Sequence, residues 1–391
     1  MLDRLRRLQS LMQDHAFTGA LLMHPRDVYY YAGTAQPCNL FVPQDGEPIL
    51  FIRRAWDFVK KETFLPAECQ VDGGSLRVVK QELERRGIKS GTIGITEDVL
   101  PALLYNKIKR ELAGFLFKNI SPLILEQRMV KDVREIEAIK KTAALYKVAH
   151  QAIMENLRDG ITELELASRV LGSLRACELE GIVRNRRWDA SLHPDGIIAA
   201  GENCWEISGS AMTVTGIGLS PSLAWGASTK VIREGELVVI DIPLNRHGYH
   251  ADIARTYVAG RANSRQKEIF EAVLEIQDRV IREIRPGVKS DYLYNVAEST
   301  ASELGYLEYF QGYGRMKGKY IGHGVGLEND EPPTLDPIES VTLQAGMVLA
   351  IEPKFIIPGW GAVDIEDTVL VTEKGAEILT PVERKLFEVI T

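Results

Sequence analysis

The sequence has 391 residues, enough for two domains, and its 45% hydrophobic and 26% charged residues describe an ordinary globular chain with ample core material. A formal net charge of −7, with no long run of lysine or arginine, argues against a nucleic-acid surface or an anionic membrane partner, leaving small molecules or short peptides. Cys38, Cys69, Cys177 and Cys204 are widely spaced with no C-x-x-C pair, which argues against zinc-finger and disulfide frameworks and predicts reduced thiols in the cytoplasm.

At the N-terminus, Leu2, Leu5, Leu8, Leu11 and Met12 recur at helical spacing with charges between them, which predicts an amphipathic surface helix rather than a signal peptide. No apolar run approaches the roughly 20 residues needed to span a bilayer, so a cytoplasmic protein is expected. From about 19 to 125, short apolar runs ("GALLMH", "NLFVP", "PILFIRR", "GTIGIT") alternate with helical stretches such as Leu76 to Arg86. That alternation predicts an α/β layer domain. Over 121–162 the pattern changes to one long helical period with Ile136, Ile139, Ala143, Tyr146 and Ile153 on its apolar face. The domain boundary is therefore placed near 127, giving domains 1–127 and 128–391.

The second part alternates helices with antiparallel hairpins. In "VVIDIPLNRHGYHADIARTY", Val238, Val239 and Ile240 read as a buried strand ending on Asp241. Pro243, Asn245 and Gly248 read as the turn, and His250, Asp252, Ala254 and Thr256 share one face of the returning strand. Two buried anions side by side repel unless a proton or a cation lies between them. Further on, a helix over Ser290 to Leu304 precedes a second hairpin, "GMVLAIEPKFIIPGWGAVDIEDTVLVT", with Pro358, Gly359 and Gly361 at its turn and Glu352 and Glu366 on its arms. Paired acids in matching places suggest pseudo-twofold symmetry around one site. Between the hairpins, "YIGHGVGLENDEPP" sets His323 among glycines, which lets the backbone curve and present the imidazole. Two aspartates, two glutamates and a neutral histidine carry a charge that two divalent cations balance, and the donor set suits manganese, cobalt, zinc or iron. Such a centre activates water for hydrolysis. "GIGLSP" lacks the context of a dinucleotide loop, and no G-x-S-x-G marks a nucleophilic serine.

These motifs resemble the pita-bread metallopeptidases, which include methionine aminopeptidase, prolidase, Xaa-Pro aminopeptidase and creatinase. Asp241 and Asp252 sit as in the family's "D-x-G…Y-x-S-D-I-T-R-T", His323 as in "G-H-G-x-G", Glu352 as in "E-P" and Glu366 as in "x-I-E-D-x-V-x-V-T". "HPRDVYYYAGT" and "EQRMVKDVREIEAIKKTA" are similar to N-terminal and junction elements of the prolidase, aminopeptidase P and creatinase branch. The resemblance implies a creatinase-type α/β N-terminal domain, a pita-bread α+β catalytic domain, and a homodimer in which one N-terminal domain approaches the partner's site. It implies two divalent ions on Asp241, Asp252, His323, Glu352 and Glu366, with Glu352 also a proton shuttle, acting on a short Xaa-Pro-like peptide.

The chain departs from that pattern where hydrolytic members carry two substrate-side histidines. Trp225 stands at about the first position and Asp330 at the second, and an ionised aspartate cannot donate a hydrogen bond to an oxyanion. Ala254 replaces a hydroxyl of the family element. The loop from about Cys177 to Trp225 is rich in arginine, tryptophan and glycine, and supplies replacements. Arg184, Arg186 and Arg187 are candidates to clamp a substrate carboxylate, Trp205 and Trp225 to stack on a cationic or apolar group, and His193 to act as proton donor. These departures raise an alternative, a creatinase-like or lyase-like enzyme on a small non-peptide substrate. The bland readings are a solvated arginine loop and packing tryptophans.

Overall fold

The computed structural model describes residues 2–187, 189, 193–209 and 213–390. The chain divides after Arg128 into two compact units.

In the first unit, β1 (Gly19–Leu22), β2 (Cys38–Pro43), β3 (Ile49–Ile52), β4 (Gln70–Asp72), β5 (Gly91–Ile95) and β6 (Phe115–Asn119) form one sheet in the order β4-β3-β2-β1-β5-β6. Its helices are α1 (Leu2–Asp14), α2 (Pro25–Ala32), α3 (Trp56–Glu62), α4 (Leu76–Arg85), α5 (Ala102–Glu111) and α6 (Ser121–Met129). Leu76, Val79 and Leu83 of α4 and Ile108 of α5 pack on Leu21, Phe41, Ile49, Phe51 and Ile93, so the helical period and the strand period meet in one core. This is the α/β layer structure expected of the segment.

The single long helical period resolves into α6, α7 (Val133–Ala143) and α8 (Tyr146–Asn156). Asp132 restarts the helix by accepting from the Arg134 and Glu135 amides in a capping box, while Ala144 and Leu145 keep right-handed dihedrals, so α7 and α8 remain nearly continuous. Helix α9 (Glu163–Ala176) follows, then β7 (Ile197–Ala200), β8 (Leu237–Arg246), β9 (Tyr249–Ala259), α10 (Ser264–Glu283) and α11 (Ser290–Glu303). The chain ends with β10 (Gly322–Gly324), β11 (Glu331–Thr334), β12 (Val348–Ile351), β13 (Lys354–Ile357), β14 (Gly361–Asp364), β15 (Asp367–Thr372), β16 (Gly375–Ile378) and β17 (Phe387–Val389). They pair as β17-β9-β8-β7, as β11-β10-β12-β15-β16, and as the ribbon β13-β14.

Strand periodicity decides which way the acids point. Val238, Ile240, Ile242 and Leu244 join the core cluster built with Leu166, Val170 and Leu174 of α9. Asp241 therefore turns to the opposite face, as does Asp252 between Ala251 and Ile253 of that cluster. A second core joins Ile269, Val273, Ile276 and Val280 of α10 to Leu349, Ile351, Val369 and Val371.

The first hairpin turns only at the far end of the stretch read as its turn. Its turn is His247 and Gly248, with φ of 53° and 78°, and both positive values mark the tight hairpin turn that matches strand twist. Pro243 and Asn245 lie within β8; Asn245 belongs there because its side chain holds the preceding loop, accepting from Gly181 N at 3.0 Å and donating to the Ile182 carbonyl. Among the described residues no helix is long and apolar enough to cross a membrane.

Candidate functional site

The β8–β9 ladder sets Asp241 opposite Ala254 and Asp252 opposite Pro243, so the two aspartates are diagonal neighbours on one face. Strand β9 is stitched to β15 by Thr368, whose hydroxyl donates to the Asp252 carbonyl at 2.9 Å and accepts from the Asp252 amide at 3.1 Å. Thr256 and the Asp364 backbone exchange the same two bonds at 2.9 Å. The Glu366 amide donates to the Ala254 carbonyl at 3.0 Å, which brings Glu366 beside the aspartates.

Glu352 and Glu366 sit at corners, one between β12 and β13 and the other between β14 and β15, where the chain leaves one sheet for the ribbon and returns. A corner breaks the ladder, so other groups must take its carbonyls. Gln277 of α10 donates to both the Ile351 and Ile365 carbonyls at 3.0 Å, one residue before each glutamate.

His323 lies on β10 between Gly322 and Gly324. Neither glycine has a positive φ. They are needed for close approach instead, since a Cβ on Gly322 would meet the Ala350 carbonyl and one on Gly324 the Pro332 carbonyl. The expected tight curvature is thus replaced by tight packing between two strands. Nδ1 of His323 lies 3.1 Å from the Gly324 carbonyl, which can only accept, so in the neutral ring the proton sits on Nδ1 and Nε2 carries the lone pair for a ligand. Nε2 is 3.8 Å from Asp252 Oδ2, 3.6 Å from Glu352 Oε1 and 3.2 Å from Asp330 Oδ1.

Asp252, His323 and Glu366 each place one donor atom within 4.8 Å of the others. Among the described residues Asp252 Oδ1 is buried with no hydrogen-bond partner, an orphan that a cation satisfies. The electrostatics agree. Burial, with Asp252 adding to it, raises Asp241 well above the usual carboxylate range, and burial with both aspartates does the same to Glu366. Burial pushes Asp252 up to about 6, partly countered by His323. Burial alone would lower His323, yet Asp330, Glu352 and Asp252 together carry it up to about 9. The carboxyl groups hold protons because burial and mutual repulsion disfavour their charged forms, and His323 holds one because the surrounding acids attract it; a divalent ion would displace those protons. All five side chains line one cavity of about 560 Å³.

Over residues 137–373, more than half of its length, the chain matches the model of metallopeptidase family M24, and residues 4–130 match the creatinase/prolidase N-terminal domain. The chain belongs to metallopeptidase family M24. It is 32% identical to the Xaa-Pro dipeptidase of Pyrococcus furiosus over 99% of this chain and 100% of that one. The prolidase structure from Pyrococcus horikoshii superposes with a TM-score of 0.81 at 29% identity, covering 98% of this chain and 99% of that one. The X-Pro aminopeptidase structure from Thermotoga maritima gives the same TM-score at 27% identity, covering 97% and 99%. The architecture is accordingly a creatinase-type N-terminal domain and a pita-bread catalytic domain, and the chain is a metal-dependent peptidase. The non-peptide alternative is not favoured by these relatives.

The substrate-side residues of this M24 peptidase lie less uniformly. Trp225, Asp330 and Arg187 line the cavity. The guanidinium of Arg187 is already engaged by Asp189, with Nε to Oδ1 at 3.0 Å and Nη2 to Oδ2 at 2.8 Å. Arg184 is not among the cavity-lining residues; its backbone does the work, its amide donating to His250 Nε2 at 3.1 Å and its carbonyl accepting from Asn329 N at 2.8 Å. Arg186 faces Glu328 at 3.8 Å. His193 is also outside the lining and packs edge-on to Trp225 with ring centroids 4.9 Å apart. Asp330 receives Asn185 Nδ2 at 2.8 Å, and the neighbouring Asn329 donates to Asp252 Oδ2.

Sequence reading overlooked Lys354. Its ammonium, 1% exposed, meets Glu352 Oε2 and lies 3.1 Å from Asp364 Oδ2 and 2.9 Å from Thr213 Oγ1. A signal was available: folding the second hairpin about Pro358 and Gly359 sets Lys354 opposite Asp364.

Proposed function

We propose that this peptidase is an Xaa-Pro dipeptidase whose centre takes two divalent ions, drawn from manganese, cobalt, zinc and iron. The observation that carries the reading is the convergence of Asp241, Asp252, His323, Glu352 and Glu366 on one cavity, in a chain related along its whole length to Xaa-Pro dipeptidases. When bound, the ions supply a hydroxide nucleophile near neutral pH and polarise the scissile carbonyl. Glu352 has one oxygen tied to Lys354 and presents Oε1 toward His323, where it serves as ligand and as carrier of the proton bound for the leaving nitrogen.

The cavity walls match a zwitterion. Asp330 offers a carboxylate to the substrate ammonium, while Lys319 and Arg187 bring positive charge for the C-terminal carboxylate. Trp225 presents a flat apolar wall to a proline ring. The same reading has the enzyme working as a homodimer in the cytoplasm, with domains 1–127 and 128–391.

Metal-reconstituted protein offered Xaa-Pro dipeptides, non-proline dipeptides, Xaa-Pro tripeptides and creatine tests this directly. Free proline should be released from the dipeptides, and capping either terminus should abolish turnover. Silence across the panel with all four metals would overturn the proposal.

A further inference from the structure

Trp225 and Asp330 stand where hydrolytic members of the family carry two histidines, and an ionised aspartate has no proton to offer an oxyanion. Another donor must face the scissile carbonyl if that charge is to be held. Several donors along the cavity are already spent. Asn185 Nδ2 bonds Asp330 at 2.8 Å, Asn329 Nδ2 bonds Asp252, and the Ser208 hydroxyl donates to the Gly216 carbonyl at 2.8 Å. Tyr320 differs. It lines the cavity half-buried, and among the described residues its hydroxyl has no hydrogen-bond partner.

The phenol oxygen stands among the groups that carry the chemistry. Burial raises it far above its ordinary range, Glu352 is the next cause, and Asp330 and Asp364 add to the rise against Lys354, so the hydroxyl keeps its proton. Asp330 and Glu352 also face His323 Nε2, at 3.2 and 3.6 Å, which sets the phenol on the His323 side of the cavity. The backbone fixes it there. Gln311 Nε2 donates to the Tyr320 carbonyl and, at 3.3 Å, to the Glu352 carbonyl, while the Glu352 amide donates to the Ile321 carbonyl at 2.8 Å. Gln311 has a φ of 57°, unfavourable for a residue with a side chain, and is kept there by one bond to and one from the Lys354 backbone, both at 3.0 Å. One strained residue thus sets Tyr320 and Glu352 relative to each other.

We infer that Tyr320 is a catalytic residue, its hydroxyl donating a hydrogen bond to the oxyanion that forms on the scissile carbonyl and so taking over from the absent histidines. The inference rests on the dipeptidase reading above. As hydroxide oxygen bonds to the carbonyl carbon, the π pair moves onto the carbonyl oxygen and Tyr320 donates to it; when the pair returns, the C–N bond breaks and the nitrogen leaves with the proton carried by Glu352. The phenol is never deprotonated. Thr213 and Thr334 also bring hydroxyls to the cavity, but an alcohol is a weaker donor than a phenol, and Thr213 Oγ1 is turned to the Lys354 ammonium at 2.9 Å.

Steady-state kinetics of the metal-reconstituted enzyme on an Xaa-Pro dipeptide test this, with metal content measured on the same samples. Tyr320→Phe, which removes only the hydroxyl, should lower kcat by about 100-fold, change KM by less than about threefold and hold as much metal as the wild type. Affinity for the phosphinic isostere of the dipeptide, which carries the tetrahedral charge, should fall by about 100-fold as well, while product proline binds as before. Thr334→Val should leave kcat within about threefold of the wild type. An unchanged kcat in Tyr320→Phe, a loss confined to KM, a fall in metal content that accounts for the lost turnover, or equal weakening of phosphinate and proline would overturn the inference. A wild type that turns over no dipeptide removes the dipeptidase reading and this assignment with it, an outcome visible before any variant is made.

Discussion

The two hairpins that furnish the acids solve the same problem differently. In the first, Asp241 and Asp252 belong to an unbroken ladder, and period-two alternation alone directs both to one face. In the second, Glu352 and Glu366 stand at corners between sheets, where each keeps one backbone bond, to the Ile321 carbonyl at 2.8 Å and the Ala254 carbonyl at 3.0 Å, and Gln277, Gln311 and Lys354 supply the remaining support. Regular structure aims a side chain at no extra polar cost, whereas a corner needs buried polar groups and gains, through them, a way to tune the carboxylate it carries. The first hairpin is thus the rigid half of the centre and the second the adjustable half.

The sharpest way to break that comparison is Asp252→Asn, which removes the acid common to every close contact of the trio. Metal content should fall to near zero and turnover by at least about 1,000-fold, measured on protein dialysed against metal. The same variant has an opposite effect on metal-free stability. Burial raises Asp252 to about 6, above its ordinary value of about 4. Metal-free native protein therefore binds more protons than the unfolded chain across that window, and the contribution of this group to stability falls as pH rises from about 4 through 6. Asp252→Asn should accordingly be more stable than metal-free wild type at pH 7, by on the order of 2 kcal/mol, with the gap closing toward pH 4. Urea denaturation at both pH values checks the sign, and a gap that grows on acidification would contradict it.

Next in size is the tie between the two halves. Arg255, fully buried, donates to Asp367 Oδ1 at 2.7 Å, to the Glu366 carbonyl at 2.7 Å and to the Ala254 carbonyl at 2.9 Å, so it fastens the first hairpin to the return arm of the second. Arg255→Met leaves the buried Asp367 carboxylate with only the more distant Arg384, 3.8 Å away, and should cost about 3 to 5 kcal/mol, read as a drop in denaturation midpoint. Adding Asp367→Asn should recover part of that loss, because the uncompensated charge goes with it.

The same contrast explains what could be read from the sequence. The four candidate acids were legible because each ends or interrupts an apolar strand, and His323 because glycines flank it, all local patterns. The α/β character of the first unit was legible for the same reason. The turn of the first hairpin was misplaced because Pro243 and Asn245 carry turn chemistry that tertiary contacts override. Lys354 and Asp364 look like two unrelated charges until the ribbon register pairs them, and Arg255 meets Asp367 across 112 positions. Arg187 was read as a candidate clamp without its partner Asp189, only two residues away. Local periodicity is written in the sequence; the polar supports of a corner are long-range and are not.

The smallest effect should come from the corner support that touches no acid. Gln277 bonds the carbonyls of Ile351 and Ile365, which immediately precede Glu352 and Glu366. Gln277→Leu keeps the apolar volume beside α10 and leaves both carbonyls without that donor in a buried setting, at a cost of about 1 to 3 kcal/mol in stability. Were the second hairpin as self-supporting as the first, that would be its whole effect. Because the glutamates depend on it for aim, metal affinity should also fall, by about 10-fold, in a titration under conditions where the variant is fully folded. The matching change beside the first hairpin, Thr368→Val on β15, removes two bonds to the Asp252 backbone but leaves the β8–β9 ladder to hold that residue, so its metal affinity should move much less. Equal losses in the two variants would mean that corner and ladder position their acids alike, and the division into a rigid and an adjustable half would fail.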